Sequence, residues 1–587
     1  MLPFRLQVMR LLLLVIFSVF LGALVYYQVL HGAELRQASE ENHLRWVRSP
    51  APRGLILDRN GRMLATNAEA LAAWLIPGEV PRKIRPRAGE AAPPGWPELI
   101  DELVRLGIYP DHDTADDALG EYRRHPSYLP VRLCSNLDIA MVSRIEEDLA
   151  FLPGVYLKPE PVRRYPDGTL AAHLLGYLRE IDAKALAERE DAGYRGGDLI
   201  GKAGLESSFE EALRGAEGGE QVEVDAHNRV LRTLQTVAPQ PGATLTLTLD
   251  CNIQRAAEQA LAGHMGAVVA LDPHTGDILA LASAPAYDPN QMSGHISRQM
   301  QAWLLGEQRP ELNRVTSGLY PPGSVFKIVT AATALEKGLV PEGATFYCDG
   351  SYHGIRCWNH AGHGSLNLTE ALAQSCNVAF MKMAEKCDII PLSDMAHRFG
   401  LGQTTGLAEL PEKGGVVPNP TWAHQRFHRR WEFGETLQVG IGQSALEITP
   451  LQSARIIAAI ANGGSLVTPR VVASVGNQSQ PERALVPLNL QPETLRRITA
   501  GLKAVVGEGT AHHMDAGLHV AGKTGTAQNP RGADHAWFVG FAPTEAPKIA
   551  IAVLVEHGGH GGVTAAPIAE KVIRAALEGP QAATAAP

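Results

Sequence analysis

Several features are missing from this 587-residue chain, and each absence narrows the possibilities. Charge of one sign is lacking: charged residues make up 20% and the net charge is a modest −9. With no basic stripe interleaved with aromatics, a nucleic-acid partner is not expected. Low complexity is lacking too, because the 58 glycines and 40 prolines are scattered and read as turns. The six cysteines include none near the end of the N-terminal apolar stretch, which argues against a lipid-anchored N-terminus. Residues 31–240 contain no nucleophile–base pair. Asp58, His173 and Glu206 there read as hydrogen-bonded scaffold groups.

What is present begins with Leu11 to Leu30, a run of 20 residues without a charge. As a helix it is about 30 Å long, enough for one bilayer crossing. Arg5 and Arg10 precede it, and Glu34 and Arg36 follow, so the positive-inside rule keeps the first ten residues in the cytoplasm and exports the rest. A cleaved signal peptide would have a shorter apolar core, and His31-Gly32-Ala33 is a poor cleavage site, so the segment is expected to stay as an anchor. The ten residues before it leave no room for a signalling domain.

Beyond the anchor, Leu55 to Leu57 reads as a strand and Asp58 to Gly61 as a turn. Residues 68–160 read as an insertion of mixed helix and loop, with a Pro-rich patch from Pro77 to Pro97. Glu147-Asp148-Leu149-Ala150-Phe151 resembles the start of an acidic glycosyltransferase motif. Gly154 stands where its His belongs, and the stretch reads as the end of an ordinary helix. A linker at Pro239 to Ala243 leads to a helix at Asn252 to Leu261 and a hairpin of Ala267–Leu271 with Ile278–Ser283. Helical patterns dominate from 296 to 465. Strands return at Leu518–Gln528, His535–Phe541 and Ile549–Val555. Strands at both ends with helices between predict an antiparallel sheet flanked by helices, closed by both ends of one domain at 244–578. The overall class is α/β multidomain. The Ala/Pro-rich tail, 579–587, is expected to be disordered.

Three short patterns fall inside that domain. Pro322 and Gly323 cannot sit comfortably in a helix interior, so Ser324 opens the helix that follows and Lys327 lies one turn on. A hydroxyl becomes a useful nucleophile when a base removes its proton, and burial plus the helix dipole would lower the Lys327 pKa enough to serve. Alone, the pair is also what a helix-capping serine followed by a lysine looks like. Ser375-Cys376-Asn377 falls between two helical patterns, and Lys523-Thr524-Gly525-Thr526 lies on a strand where Gly525 admits a ligand to the backbone. The order S-x-x-K, S-x-N, K-T-G is not a coincidence of composition.

These motifs, with Asn313-Arg314, Gly440-Ile441-Gly442-Gln443, Thr449-Pro450-Leu451-Gln452 and His535-Ala536-Trp537-Phe538, make the chain resemble the class B penicillin-binding proteins from the anchor to about residue 575. Arg53-Gly54, Arg164-Tyr165-Pro166 and Gly201-Lys202-Ala203-Gly204 resemble that family's pedestal (dimerisation-type) domain. The resemblance implies a peptidoglycan D,D-transpeptidase inhibited by β-lactams. Ser324 would be acylated by a stem peptide and Lys327 would be the base. Ser375 and Asn377 would relay protons and hold the substrate amide. The backbone N–H groups of Ser324 and Thr526 would form the oxyanion hole, with Lys523, Thr524 and Thr526 offering positive charge and hydroxyls to the terminal carboxylate and Gly525 admitting the substrate to the backbone. It also implies an inner-membrane, periplasm-facing enzyme partnered by a membrane glycosyltransferase of the shape-and-division family. A β-lactamase is disfavoured: Leu485, not Glu, stands three residues before Leu488-Asn489. The division-type enzyme shares every catalytic motif, and a purely non-catalytic scaffold remains an alternative.

Cys348, Cys357, His363 and Cys376 also cluster. Three thiolates and an imidazole are a common structural zinc set. A Cys348–Cys357 disulfide is equally open to an exported chain, the spacing fits no short zinc-finger pattern, and His360 could replace His363. Elongation-type members of the family resemble the chain here and carry zinc at these four positions, although carboxylates replace Cys348 and Cys357 in some relatives. The resemblance therefore implies structural zinc and the elongation subtype. Cys134, Cys251 and Cys387 are expected to be buried apolar groups.

Overall fold

The computed structural model describes residues 2–31, 44–81, 95–124, 130–225, 230–293, 296, 298–530 and 532–579. Glu34, Arg36, most of the Pro-rich patch and the tail after Gly579 lie outside the described residues.

The chain divides into two compact units that are not contiguous in sequence. One holds residues 1–53, 67–162 and 214–242; the other holds 54–66, 163–213 and 243–587. In the first, a helix spans Leu2–Val25 and runs on through Tyr26–Leu30. Its apolar stretch, Leu6–Leu30, is longer than the run from Leu11 and is uncovered by protein. The insertion is not helix and loop alone. The long strand Met63–Leu75 pairs with Val131–Leu137, and helices Trp96–Leu106, His112–Arg124 and Ile139–Asp148 lie between and after them. These build a core of their own from Ala73, Leu75, Leu99, Leu103, Leu119 and Ile145. Glu147 and Asp148 do end an ordinary helix, capped at its start by Asp138.

The second unit carries the helices and strands of the predicted 244–578 domain. Helix α1 is Cys251–Leu261, β1 is Gly266–Leu271 and β2 is Ile278–Ala284. Helix α2 is Lys327–Glu336, α3 Leu368–Ala373, α4 Asn377–Cys387, α5 Phe433–Gly440, α6 Pro450–Ala461 and α7 Pro492–Gly507. Strands β3, β4 and β5 are Ala521–Ala527, His535–Ala542 and Ile549–Val555, and α8 is Ala565–Glu578.

The strands form one antiparallel sheet in the order β2-β1-β5-β4-β3, so residues from both ends of the domain close a single sheet. β1 and β5 read as unbroken apolar runs because the sheet is covered on both faces. Helices α1 and α8 pack on one side, and α6 on the other. β3 is an edge strand, which leaves its outer side to the catalytic helices. The three early polar residues behave as scaffold groups. Asp58 is buried and accepts the N–H groups of Asn60, Arg62 and Cys251. Glu206 pairs with Arg163 at 2.6 Å, and the buried His173 ring bonds the Pro310 carbonyl at 2.6 Å.

Candidate active site

Pro321, Pro322 and Gly323 cannot continue a helix, and the chain resolves this with a 3-10 turn, Gly323–Phe326, ahead of α2. In such a turn side chains three apart eclipse, so Lys327 follows Ser324 on one face. Gly323 takes φ +54, and a Cβ there would fall 2.6 Å from the Thr526 carbonyl oxygen. Its N–H donates to the Gly442 oxygen at 2.9 Å. The Trp537 indole N–H donates to the Pro321 carbonyl at 3.0 Å. The turn is thus seated on β3 and β4, leaving Ser324 partly exposed.

Lys327 is fully buried. Its Nζ lies 2.8 Å from the Ser375 carbonyl oxygen, 3.2 Å from Ser375 Oγ and 2.7 Å from Asn377 Oδ1. Among the described residues no carboxylate pairs with it. Burial lowers its pKa to about 8, opposed by the Cys376 and Cys357 thiols. A neutral amine keeps two donors for the two carbonyl-type acceptors and one lone pair for a hydroxyl. Ser375 is buried and holds φ +53, a left-handed conformation costly for a non-glycine residue, which turns its hydroxyl to this amine.

The third motif lies on edge strand β3, in register with β4: Lys523 opposite Val539, Gly525 opposite Trp537 and Thr526 opposite Ala536. Lys523 is fully buried, its Nζ 2.9 Å from the Thr524 oxygen, and its pKa is driven well below the usual lysine range by burial and by the Lys327 charge. Thr526 stays partly exposed while Thr524 is buried. Gly525 is needed because a Cβ would press on Trp537 Cβ at 2.9 Å and the Pro322 oxygen at 3.2 Å. All eight residues named for catalysis or substrate are therefore on elements around one cleft.

Two supports rest on partners that the sequence does not mark. Arg314, buried, donates to Glu556 at 2.8 Å and to the Arg309 and Gln308 carbonyls, and the Tyr320 hydroxyl donates to the same Glu556 oxygen at 2.6 Å. This fixes the strand-like approach to the Ser324 turn, which also pairs through Tyr320 with Ile448. Thr510, in the loop after α7, bonds the Thr524 hydroxyl. Neither partner is marked by sequence spacing, since Glu556 is 242 residues from Arg314.

The chain matches the penicillin-binding protein transpeptidase domain over residues 266–574 and the penicillin-binding protein dimerisation domain over 48–247. It is 34% identical to the peptidoglycan D,D-transpeptidase MrdA of Acinetobacter baumannii, across 93% of this chain and 83% of that protein. The chain is a class B penicillin-binding protein. Its fold is similar to Helicobacter pylori penicillin-binding protein PBP2 in a complex with MreC, at TM-score 0.76 and 29% identity over 91% of this chain and 99% of that one. It is also similar to Pseudomonas aeruginosa PBP2 in complex with WCK 5153, at TM-score 0.68 and 31% identity over 93% and 100%.

This penicillin-binding protein also gathers Cys348, Cys357, His363 and Cys376, whose ligand atoms lie within 4.8 Å of one another. All six cysteines are free thiols; Cys251 and Cys387 are buried and Cys134 is half-buried. His363 Nδ1 is 3.5 Å from Cys348 Sγ and 3.6 Å from Cys357 Sγ. Two donors on a tetrahedral zinc, one sulfur and one nitrogen, stand about 3.6 Å apart, so the donor set fits that ion. The short strands Thr345–Cys348 and Gly364–Asn367 pair to present Cys348 and His363. Cys376 caps α4, and its hydrogen bond lowers the Cys357 pKa, opposed by burial and helped by the backbone N–H groups of Asn359, Asn377 and Val378, the last two at that helix start. The same thiolate, with burial, pushes Cys376 up. Among the described residues no hydrogen-bond partner reaches the buried His363 Nε2.

Proposed function

We propose that this class B penicillin-binding protein cross-links peptidoglycan stem peptides during cell elongation, through an acyl-enzyme on Ser324. The observation that carries the mechanism is the buried Lys327 amine, held by Ser375 and Asn377 beside the Ser324 turn. Ser324 Oγ forms a bond to the carbonyl carbon between the two terminal D-alanines while its proton passes to Lys327. The backbone N–H groups of Ser324 and Thr526 stabilise the oxyanion. The Lys327–Ser375 pair returns the proton to the departing D-alanine nitrogen as the C–N bond breaks. An amine of a neighbouring stem peptide then attacks the ester carbonyl carbon: the new C–N bond forms, the C–O bond to Ser324 breaks, and the proton lost by the amine passes through Lys327 to Ser324 Oγ. Asn377 holds the substrate amide, and Lys523, Thr524, Gly525 and Thr526 form the carboxylate end of the cleft. A β-lactam opens on the same hydroxyl and stays attached.

Cys348, Cys357, His363 and Cys376 would hold a structural zinc; bound there it would brace the Ser375-Asn377 loop and would take no part in the chemistry at Ser324. Residues 11–30 anchor the chain in the inner membrane with residues 1–10 cytoplasmic, 31–240 as pedestal and 244–578 as the periplasmic catalytic domain. The solved complex of a relative with MreC supports a role within an assembly. A glycosyltransferase of the shape-and-division family is the expected enzymatic partner. The test is intact-mass analysis after incubation with benzylpenicillin. The protein gains one adduct, mapped to the Ser324 peptide, and Ser324→Ala gains none; an unlabelled wild type overturns the reading.

A further inference from the structure

The loop after α7 reaches both walls of the cleft. On one side, the Thr510 N–H donates to the Ala373 carbonyl at 3.2 Å, two residues before Ser375. A Cβ on the preceding Gly509 would fall 2.4 Å from that same carbonyl oxygen, so the approach needs glycine. On the other side, Thr510 Oγ1 lies 2.5 Å from Thr524 Oγ1 on β3. The turn Gly561–Gly562 closes the back: a Cβ on Gly562 would fall 2.2 Å from the Thr510 oxygen, and the His513 ring bonds the Gly562 carbonyl at 2.6 Å. Thr510 is thus held by its own backbone from two directions while, among the described residues, its hydroxyl bonds that of Thr524.

A hydroxyl has one proton and two lone pairs. A carboxylate only accepts. If Thr524 donated to Thr510, it would offer a carboxylate nothing but lone pairs. When Thr510 is the donor, the Thr524 proton stays free, and a hydroxyl that accepts one hydrogen bond donates the next more strongly. We propose that Thr510 is a positioning residue for substrate recognition: it donates to Thr524 and so commits the Thr524 hydroxyl to donate to the terminal carboxylate of the peptide or of a penicillin. The inference rests on the transpeptidase reading above and adds to it a residue outside the three motifs.

The test is stopped-flow acylation of the full-length protein in detergent, which separates the dissociation constant from the limiting acylation rate. Benzylpenicillin, which carries the carboxylate, is compared with its neutral methyl ester. Thr510→Val is expected to raise the dissociation constant for the acid about three- to tenfold, the size of one neutral hydrogen bond. The limiting rate should change by less than about twofold, the ester should bind wild type and variant alike, and Thr510→Ser should restore the acid. Equal losses for acid and ester would show that Thr510 merely braces the cleft and would overturn the proposal, as would an unchanged dissociation constant. If wild-type protein gains no penicillin mass, the transpeptidase reading falls and this one with it. A wild type that reacts while Thr510→Val shows no selective loss leaves the transpeptidase standing and removes only Thr510.

Discussion

At the scale of single residues, the burial of Lys327 decides what the site can do. An ammonium sealed from water with no carboxylate beside it is costly, and the molecule lowers that cost by letting the proton go: the Lys327 pKa falls to about 8. Below that pH most molecules hold a charged amine that cannot act as base. The acylation rate constant for benzylpenicillin is therefore expected to rise with pH through about 8 and then level off. A flat profile between pH 6 and 9.5 would remove Lys327 from the base role. Lys327→Ala should lower the rate at pH 8 by about a hundred- to ten-thousandfold, the usual worth of a general base, with retained cooperative melting as the control. This much was legible in the chain, because Ser324 and Lys327 are local. The partners Ser375 and Asn377, 48 and 50 residues on, were legible only as a motif, and the strained φ at Ser375 was not legible at all.

At the scale of elements, the catalytic turn is shaped by close backbone approaches. Gly442 takes φ +77, and a Cβ there would sit 1.9 Å from the Gly323 carbonyl oxygen, so the two glycines fix how far α5 advances on the Ser324 turn. Gly442→Ala is expected to cost about 2–4 kcal/mol of stability and to slow acylation, read by chemical denaturation and by penicillin labelling. Normal labelling with an unchanged denaturation midpoint would show that the turn tolerates the shift. The Cys/His cluster acts at the same scale, since it joins a pair of short strands to the start of α4 through Cys376, which stands between Ser375 and Asn377. Purified protein should contain about one zinc per chain by elemental analysis. His363→Ala should lose the metal, lower the melting temperature and slow acylation, because the loop carrying Ser375 loses its brace. Zinc-free wild type with unmodified thiols and full activity would sink that role. The strands of the catalytic sheet were readable as apolar runs between turn residues, with small shifts at their ends, except that β3 starts at Ala521 and not at Leu518, because Ala516–Leu518 forms a 3-10 turn. Met63–Leu75 was not readable, because its five alanines have low strand propensity and its partners in Val131–Leu137, such as Leu137 opposite Leu71 and Val131 opposite Leu75, are far away in sequence.

For the whole molecule, the two compact units cut across the chain order. Residues 54–66 and 163–213 gather with the catalytic domain, although they belong to the segment that matches the dimerisation domain. A left-to-right reading places one boundary near the linker at 239–243, because a linker is a local composition signal; the return of earlier strands to a later sheet, such as Ile56–Leu57 beside Leu245–Leu247, leaves no such signal. The anchor is the opposite case, a local property with a molecular consequence. Leu6–Leu30 has mean hydropathy 2.6 and no burial in the protein, so its side chains need a solvent other than water. At 1.5 Å per residue its 25 residues span about 38 Å, more than the roughly 30 Å hydrocarbon core of a bilayer. Phe17 and Phe20, 72% and 66% exposed, would otherwise face water and drive association. None of the residues around Ser324 belongs to this helix, and the catalytic core is closed by its own sheet and helices. Deleting residues 1–30 should therefore move the protein from the membrane fraction to the soluble fraction, while the second-order rate of penicillin acylation stays within about twofold of the detergent-solubilised full chain. A truncated protein that stays monodisperse yet no longer reacts with penicillin would show that the membrane segment contributes to the catalytic fold.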